Sequence, residues 1–279
     1  MKKEKNNYYF YDLHAHTKES PDAISTIKEL IKIAKKRGLT GFAITNHDKV
    51  YKGEEEIDGI TIIPGSEITL KDDSHLLAYY IKEDLPAEKL TLTEAVTAIK
   101  KQGGYCSLAH PTSIMGGYFK NGGYLKIKNK SIKEIEEALK IVDCVESGNA
   151  NESLRLRSLT KKIIQKTKIE KIIHTAGSDS HSPDSIGLGV IKTKESLTKE
   201  NFLRVISEGE IIIKTKFDFK NKLLNIIEQL FVIIIKITFL YNNKIIRKII
   251  YKIFYHTYLK IKYFLSKKKK TFNFKKEYI

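Results

Sequence analysis

The sequence has few cysteines, and the two that it contains do not form a redox or zinc motif. Cys106 and Cys144 each lie inside an apolar run, and no CxxC pair occurs in the chain. Such thiols are typical of buried core positions in a reducing compartment. We therefore expect neither cysteine to bind a metal.

The sequence also lacks a nucleotide-binding glycine motif and a secretory signal. No GxGxxG or GxxxxGK[ST] follows any strand-like run, which argues against an open sheet that binds a nucleotide. The charged residues 1–7 precede only a short aromatic run, without the apolar segment of a signal peptide. We expect a cytoplasmic protein.

Positive charge is concentrated at one end of the chain. The 279 residues carry 50 Lys and Arg against 33 Asp and Glu, a formal net charge of +17. From Lys214 onward there are 17 basic and 3 acidic residues, net +14, which leaves 33 and 30, net +3, for residues 1–213. Attraction to anionic polymers or lipids is therefore expected of the tail. We predict a body of residues 1–213, with a closing segment at 185–213, and an extension of residues 214–279.

The body alternates short β-like runs with helical ones. Seven compact apolar runs are predicted to be strands, at residues 8–13, 40–45, 60–64, 75–81, 105–109, 141–145 and 172–176. Helices are predicted at roughly 24–36, 91–102, 131–140, 152–167 and 198–208. Because the strands are continuously apolar, we expect a parallel sheet covered by helices, and seven strands favour an α/β barrel.

Two pairs of potential metal ligands lie at opposite ends of the body. His14 and His16 are two residues apart on an extended segment, so both point to the same side and can share an ion. Asp179 and His181 repeat this spacing. Between the pairs, further polar residues lie at the ends of apolar runs, where α/β barrels carry their chemistry: His47, Glu67, His75, His110 and Glu146. Together they predict one metal centre.

Six motifs occur in the order and context of a known family. They are DLHAHTKESPDA, AITNHD, GSEIT, the His75 strand, LAHP and GSDSHSP. Residues 8 to about 210 therefore resemble the PHP (polymerase and histidinol phosphatase) family of metal-dependent phosphoesterases. The resemblance implies a distorted seven-stranded, TIM-like (β/α) barrel that holds up to three divalent ions at its C-terminal mouth, here with a basic, apolar helical C-terminal extension.

The resemblance also implies how the ligands are shared. One ion would be bound by His14, His16, Glu67 and Asp179, a second by Glu67, His75 and His110, and a third by Asp22, His47 and His181. Glu67 would bridge the first two ions. Family members have His or Asp near the third site, and we choose Asp22 over Glu19 on reach.

The ligand types indicate the metals and the chemistry. Mixed imidazole and carboxylate ligands suit Mn, Zn or Fe, and a carboxylate at Asp22 favours a harder ion such as Mn²⁺. Two ions about 3.5–4 Å apart would activate a bridging hydroxide as the nucleophile, supported by Glu67, Asp179 and His181, while the third neutralises the phosphate.

Four other residues are candidates for contacts to the ligands or the substrate. Asp12 alternates to the same side as His14, and Asp48 either accepts an imidazole N–H from a ligand or caps a helix. Glu146 and Asn149, in VESGN, end the sixth strand where a substrate would lie.

Two other features have both a functional and a structural interpretation. Arg155 and Arg157 either bind phosphate at the mouth or belong to a solvated helical face. The glycine-rich residues 116–123 are either a lid over the site or a solvated connector.

The extension differs in composition from the body. Residues 223–241 are long enough to span a bilayer, but Lys236 near their centre costs about 3 kcal/mol, which argues against spanning. Residues 241–265 interleave Ile, Tyr and Phe with Lys and Arg, and residues 267–270 are a basic run. This composition suits contact with an anionic membrane surface, or packing on the barrel or a second subunit, and single-stranded nucleic acid ranks behind both.

The expected function is hydrolysis of a phosphate ester of a small metabolite or nucleotide. A nuclease acting on nucleic-acid ends is the alternative within the enzymes, and a non-catalytic, membrane-associated metal-binding module is the alternative outside them. The last alternative predicts missing ligands, and none is missing from the motifs. A peripheral membrane location through the tail is compatible with a cytoplasmic enzyme.

Overall fold

A computed structural model describes residues 8–113, 123–126, 130–214, 256–257, 260 and 272–278. The strands are β1 (Tyr9–Ala15), β2 (Gly41–Ile44), β3 (Glu56–Ile57), β4 (Ile60–Thr69), β5 (His75–Tyr79), β6 (Tyr105–Leu108), β7 (Cys144–Asn149), β8 (Ile173–Gly177), β9 (Gly189–Thr193) and β10 (Glu210–Ile213). The helices are α1 (Ile27–Arg37), α2 (Leu92–Lys101), α3 (Ile132–Ile141), α4 (Leu154–Gln165), α5 (Phe202–Ser207) and α6 (Phe274–Tyr278). No helix in these ranges is long and apolar enough to cross a membrane.

Three helices begin with the same local device. In α1, α2 and α3 a Thr or Ser before the first turn accepts the backbone N–H three residues on, and a Glu at that position bonds back. The pairs are Thr26 with Glu29, Thr91 with Glu94, and Ser131 with Glu134. These capping boxes satisfy amide groups that a helix start leaves unpaired, and they fix where each helix begins.

The strands form one sheet in the order β10-β9-β1-β2-β4-β5-β6-β7-β8, with β3 beside β4. The sheet curls into a nearly closed barrel, because the end of β8 returns to β1. Asp179 N donates to His14 O at 2.8 Å, and Gly177 lies so close that a Cβ there would be 2.3 Å from the His14 Cβ. The predicted α/β barrel is confirmed, and all seven predicted strands are present.

The prediction of an all-parallel sheet is wrong at β5. This strand is antiparallel to both β4 and β6, whereas β1, β2 and β4, and again β6, β7 and β8, are parallel neighbours. Only residues 70–74 connect β4 to β5, and a parallel crossover needs a dozen residues or more. His75 therefore lies at the mouth as the first residue of its strand.

The core has two layers, inside and outside the sheet. Side chains such as Tyr11, Ile63 and Tyr79 pack together with α5, whose Phe202 is fully buried. Outside the sheet, α1 covers β1 and β2, and α2, α3 and α4 cover β5 to β7. Both cysteines are buried and free, as predicted.

The last described residues of the extension pack on the barrel. Phe274 is fully buried and stacks on Phe10 of β1 with ring centroids 4.9 Å apart. Asn273 Nδ2 donates to Lys36 O at 3.0 Å, and Lys214 Nζ lies 2.5 Å from Glu277 Oε2. Residues 272–278 are thus part of the packed barrel, while the 223–241 segment and almost all of 241–270 lie outside the described residues.

Replacing Phe274 with alanine is expected to lower the free energy of unfolding by about 3 kcal/mol, because it removes a fully buried ring and leaves a cavity. Leu154→Ala is the control, since 66% of that side chain is exposed. Urea denaturation of both variants measures the difference. Equal stability of the two variants would show that the segment does not pack on the barrel in solution.

Candidate metal centre

Glu67 occupies the middle of a ring of imidazoles at the barrel mouth. Its Oε2 atom lies 3.2 Å from Nε2 of both His14 and His16 and 3.4 Å from His47 Nδ1. Its Oε1 atom lies 2.9 Å from His75 Nδ1 and 2.8 Å from His110 Nε2. One buried carboxylate therefore faces two separate histidine groups, one with each oxygen. That arrangement suits a bridging ligand.

Asp22 and Asp179 complete the cluster on the other side of His16. Asp22 Oδ2 lies 3.1 Å from Nε2 of both His47 and His181. Asp179 Oδ1 lies 3.5 Å from His14 Nε2, His16 Nε2 and His181 Nδ1. By contrast, the Glu19 side chain is half exposed and lies 3.8 Å from Lys49 Nζ. The structure thus brings all nine predicted ligands together, and it places Asp22 and not Glu19 among the histidines.

The ligand atoms fall into three overlapping sets, each with atoms within 4.8 Å of one another: His16, Asp22, His47 and His181; His14, His16 and Asp179; and His47, Glu67 and His75. These sets differ in part from the predicted ones, since His16 and His47 each belong to two of them. His110 belongs to none, although it contacts Glu67. Which residues share which ion stays a prediction.

The charges of the cluster are strongly coupled. Burial disfavours the charged form of every group, but the surrounding histidines outweigh it and hold the pKa of Glu67, Asp22 and Asp179 well below their usual range. Against the same burial, Asp22 and Glu67 raise the pKa of His47 to about 10, and Glu67 raises that of His110 to about 9. These directions leave the carboxylates ionised and favour protonated His47 and His110, so a bound divalent ion would have to displace those imidazole protons.

Two observations show that the residues fit divalent ions. Asp22 Oδ1 and His110 Nδ1 are buried without a hydrogen-bond partner in the part of the chain that the structure describes. Such atoms are costly unless something pairs with them. The donor set of six imidazoles and three carboxylates, without thiolate, is also the set that Mn, Zn and Fe prefer.

Glu146 and Asn149 of β7 form hydrogen bonds to the predicted ligands. Glu146 Oε1 lies 2.9 Å from His14 Nδ1, and its Oε2 accepts the His110 backbone N–H at 2.7 Å. Asn149 Nδ2 donates to Glu146 Oε2 at 3.0 Å and to Asp179 Oδ2 at 3.3 Å. A carboxylate behind an imidazole fixes the ring orientation and the tautomer. Both side chains thus contact predicted ligands.

Asp12 connects the two ligand segments through their backbones. It accepts N–H groups from Ser178 at 2.8 Å and His14 at 3.2 Å with Oδ1, and from Gly187 at 2.6 Å with Oδ2. Burial raises the pKa of Asp12 to about 6. This fully buried carboxyl group therefore ties β1 to the segment that follows β8.

Two sequence-based interpretations are wrong. Asp48 accepts the N–H and the hydroxyl of Thr69, at 2.6 and 2.9 Å, and within the described residues it neither caps a helix nor bonds an imidazole. Arg157 is buried and donates Nη1 to the carbonyls of Asn149 and Glu152, at 3.0 and 2.8 Å, so it is neither a solvated residue nor a free phosphate ligand. Arg155 is exposed. The glycine-rich segment lies outside the described residues except for Gly123.

Two further polar residues contact this site and were not predicted from the sequence. Ser20 Oγ lies 2.9 Å from His16 Nδ1 and accepts the His47 backbone N–H at 3.0 Å. Asn46 is fully buried, and its Oδ1 accepts the Thr17 N–H at 2.8 Å. Their positions inside the two motifs that contain His16 and His47 are the only signal that could have identified them.

The backbone is unusual at two predicted ligands. His110 and Asp179 have φ angles of 26° and 52°, in the region that side chains other than glycine rarely adopt. Such conformations cost about 1–3 kcal/mol each and cluster at functional sites. Here they turn the chain sharply after β6 and β8, where both side chains contact the cluster.

Glu152 is a further buried carboxyl group at this end of the barrel. It lies between β7 and α4, is 9% exposed, and has no hydrogen-bond partner on either oxygen among the residues that the structure describes. Burial raises the pKa of Glu152 to about 7; His110 and Arg157 oppose this shift, and Glu146 and Asp179 add to it.

The fold and the site together define a metal-binding α/β-barrel protein. A family model described as PHP domain matches residues 12–181, and one described as PHP-associated matches residues 168–211. The chain therefore belongs to the PHP domain family of metal-dependent phosphoesterases, which confirms the resemblance based on six motifs.

Several curated proteins are similar to this chain. An uncharacterized protein of Methanocaldococcus jannaschii is 33% identical over 118 residues, which span 37% of this chain and 67% of that protein. A protein of Shewanella sediminis named a probable phosphatase is 30% identical over 131 residues, 37% of this chain and 53% of that protein, so the match spans about half of that relative. A Shewanella loihica protein of the same name is 25% identical over 228 residues, 70% of this chain and 86% of that protein.

Solved structures show the same fold at low identity. PsfC from Pseudomonas syringae has a TM-score of 0.54 and 14% identity, covering 74% of this chain and 92% of that one. The lesion-specific endonuclease PfuEndoQ from Pyrococcus furiosus has a TM-score of 0.52 and 17% identity, covering 74% and 58%.

Proposed function

We propose that this protein hydrolyses a phosphate ester of a small metabolite or nucleotide with the help of divalent ions. The observation that carries the proposal is Glu67, whose two oxygens face separate histidine groups within 2.8–3.4 Å. The Shewanella relatives named probable phosphatases support the same chemistry.

The proposal divides the ions among three places, as the family resemblance implies. His14, His16, Glu67 and Asp179 would hold one ion, Glu67, His75 and His110 a second, and Asp22, His47 and His181 a third. When bound, the ions would supply an activated water at neutral pH and positive charge for the phosphoryl oxygens.

The protein's own residues prepare the site for this chemistry. Glu146 holds the His14 ring so that Nε2 faces the cluster, and Asn149 holds Asp179 in the same way. Almost complete burial of Glu67, His14 and His16 limits access of bulk water. Charged groups that are fixed in position and shielded from water stabilise the charge that forms on the substrate in the transition state.

Hydrolysis of a generic aryl phosphate tests the proposal. Purified full-length protein loaded with Mn²⁺ is expected to hydrolyse para-nitrophenyl phosphate, and metal-stripped protein is expected to be inactive. The Glu67→Gln variant, prepared in the same way, provides the contaminant background. A wild-type rate equal to that background on monoesters and diesters alike would refute the proposal.

A nuclease activity on nucleic-acid ends is a second candidate. It is favoured by the structural similarity to an endonuclease and by the net charge of +14 beyond residue 213. The nearly neutral body favours a small substrate instead. Parallel assays with phosphorylated metabolites and end-labelled oligonucleotides distinguish the two, because the nuclease interpretation requires higher kcat/KM on the oligonucleotides.

The number of ions can be tested at Asp22. Asp22→Ala removes the carboxylate that lies between His47 and His181, so we expect bound metal to fall by one ion per chain. The measurement is metal analysis by mass spectrometry after desalting. Glu19→Ala is the matched control, because Glu19 is an exposed carboxylate three residues away. An unchanged metal content in Asp22→Ala would remove Asp22 from the ligand set.

A further inference from the structure

Glu152 sits beside the metal centre without taking part in it. It lies two residues before the start of α4, and its backbone N–H donates to the Asn149 carbonyl at the end of β7 at 3.3 Å. The charged groups around it are His110, Glu146, Asp179 and Arg157. It belongs to none of the three sets of ligand atoms. Its side chain is therefore at the site but not committed to the predicted ions.

No structural role accounts for the Glu152 carboxyl group. Ser153 caps α4 by accepting the Leu156 N–H at 3.3 Å. The nearby Arg157 guanidinium donates to the carbonyls of Asn149 and Glu152, and no hydrogen bond to the Glu152 carboxylate occurs within the described ranges. The arginine thus fixes the turn, and both Glu152 carboxyl oxygens stay without a partner in the described part of the chain.

Such a group lowers stability unless a ligand pairs with it. Burying a carboxyl group without a hydrogen bond costs free energy, and most buried polar atoms in folded proteins are paired. Groups that break this rule in a cleft are candidates for contact with a substrate. A substrate atom that donates a hydrogen bond would supply the missing partner.

The chemistry of the surroundings indicates which part of a substrate this is. The charges around Glu152 are mixed, since His110 and Arg157 oppose Glu146 and Asp179. An ionised carboxylate only accepts hydrogen bonds, and phosphoryl oxygens are acceptors as well, so the two do not pair. The histidine cluster with its ions is the place for the phosphoryl group. The group that Glu152 can pair with is a donor on the remaining, alcohol part of the ester.

We propose that Glu152 binds the leaving alcohol of the substrate by accepting a hydrogen bond from a hydroxyl or ammonium group on it. The proposal rests on the proposed phosphoesterase function and extends it to a substrate class. The preferred substrates are phosphate esters of polyols, nucleosides or amino alcohols. Hydrolysis of esters whose alcohol carries no hydrogen-bond donor does not depend on Glu152.

Kinetics with three substrates test the role of Glu152. Phenyl phosphate has no donor on its leaving group, β-glycerophosphate has hydroxyl groups, and phosphoethanolamine has an ammonium group. In the Mn²⁺-loaded full chain, Glu152→Met is expected to lower kcat/KM about tenfold or more on whichever donor-bearing ester the wild type prefers, and to leave phenyl phosphate unchanged. Glu137→Met, an exposed position on α3, is the control.

Stability provides a second measurement. Methionine has a similar length and no group that needs a hydrogen bond, so Glu152→Met is expected to melt at the same or a higher temperature than the wild type. An equal loss on all three substrates, no loss on any, or a lower melting temperature would overturn the proposal. If the wild type hydrolyses none of the substrates, the proposed phosphoesterase function is refuted, and the proposed role of Glu152 is refuted with it.

Discussion

Glu67→Gln is expected to reduce kcat/KM for para-nitrophenyl phosphate by about 10³-fold or more, because it removes one charge from the centre of the cluster. The carboxylate contacts five histidines, and each of its oxygens faces a separate histidine group. A glutamine amide offers one acceptor oxygen, and its NH₂ group cannot bind a cation. Loss of about 4 kcal/mol of transition-state stabilisation corresponds to that factor.

The loss of kcat/KM in Glu67→Gln can be distinguished from a loss caused by misfolding. Glutamine has nearly the same shape, so circular dichroism of Glu67→Gln is expected to match the wild type. Glu19→Gln removes a charge at the edge of the same site, where the side chain is half exposed, and should change kcat/KM less than twofold. Comparable activity of Glu67→Gln and Glu19→Gln would contradict a central role for Glu67.

Removal of divalent ions is expected to abolish hydrolysis and to lower the free energy of unfolding by about 4 kcal/mol, as for ions at a thousand times their Kd. The cause is the native cluster of six imidazoles and three carboxylates, which the unfolded chain does not assemble. Thermal melts with chelator, and then with added Mn²⁺ or Zn²⁺, measure the shift and its reversal.

Two variants serve as controls for the ion effect. Glu67→Gln is expected to show a smaller stabilisation by Mn²⁺, because one ligand is impaired. Phe274→Ala is expected to keep the full shift from a lower starting stability, since its cavity lies on the outer face of the barrel, away from the mouth. Identical melting curves of the wild type with and without chelator would contradict a bound metal.

The positions of the strands and helices could be predicted well from the sequence, because apolar runs and capping residues are local signals. The predicted run 60–64 nevertheless forms only the first half of β4, which continues to Thr69 and thus carries Glu67 inside the strand. The direction of β5 was not predicted, because a continuously apolar run indicates burial on both faces and was taken to indicate a parallel strand. The five-residue connection at 70–74 was the available evidence against it.

The roles of the supporting residues depend on contacts between distant parts of the chain. Glu146 reaches His14 across 132 positions of sequence, and Asp12 reaches Gly187 across 175. Asp48 directly follows a predicted ligand, yet it turns to Thr69 with a φ of 54°. The position of Asp48 next to His47 in the sequence therefore did not predict its contacts, because the backbone conformation decides where its side chain points.

The sequence by itself determined the barrel, the family and the identity of the polar residues at the strand ends, because spacing and motif order are properties of the chain. Only the tertiary structure decided that Glu67 is the common neighbour of two histidine groups and that Arg157 donates to backbone carbonyls inside the protein. It also decided that the buried Glu152 carboxyl group has no hydrogen-bond partner among the described residues. The physical reason is that closure of the barrel brings remote strand ends within hydrogen-bond distance, and their mutual positions are not encoded in any local pattern.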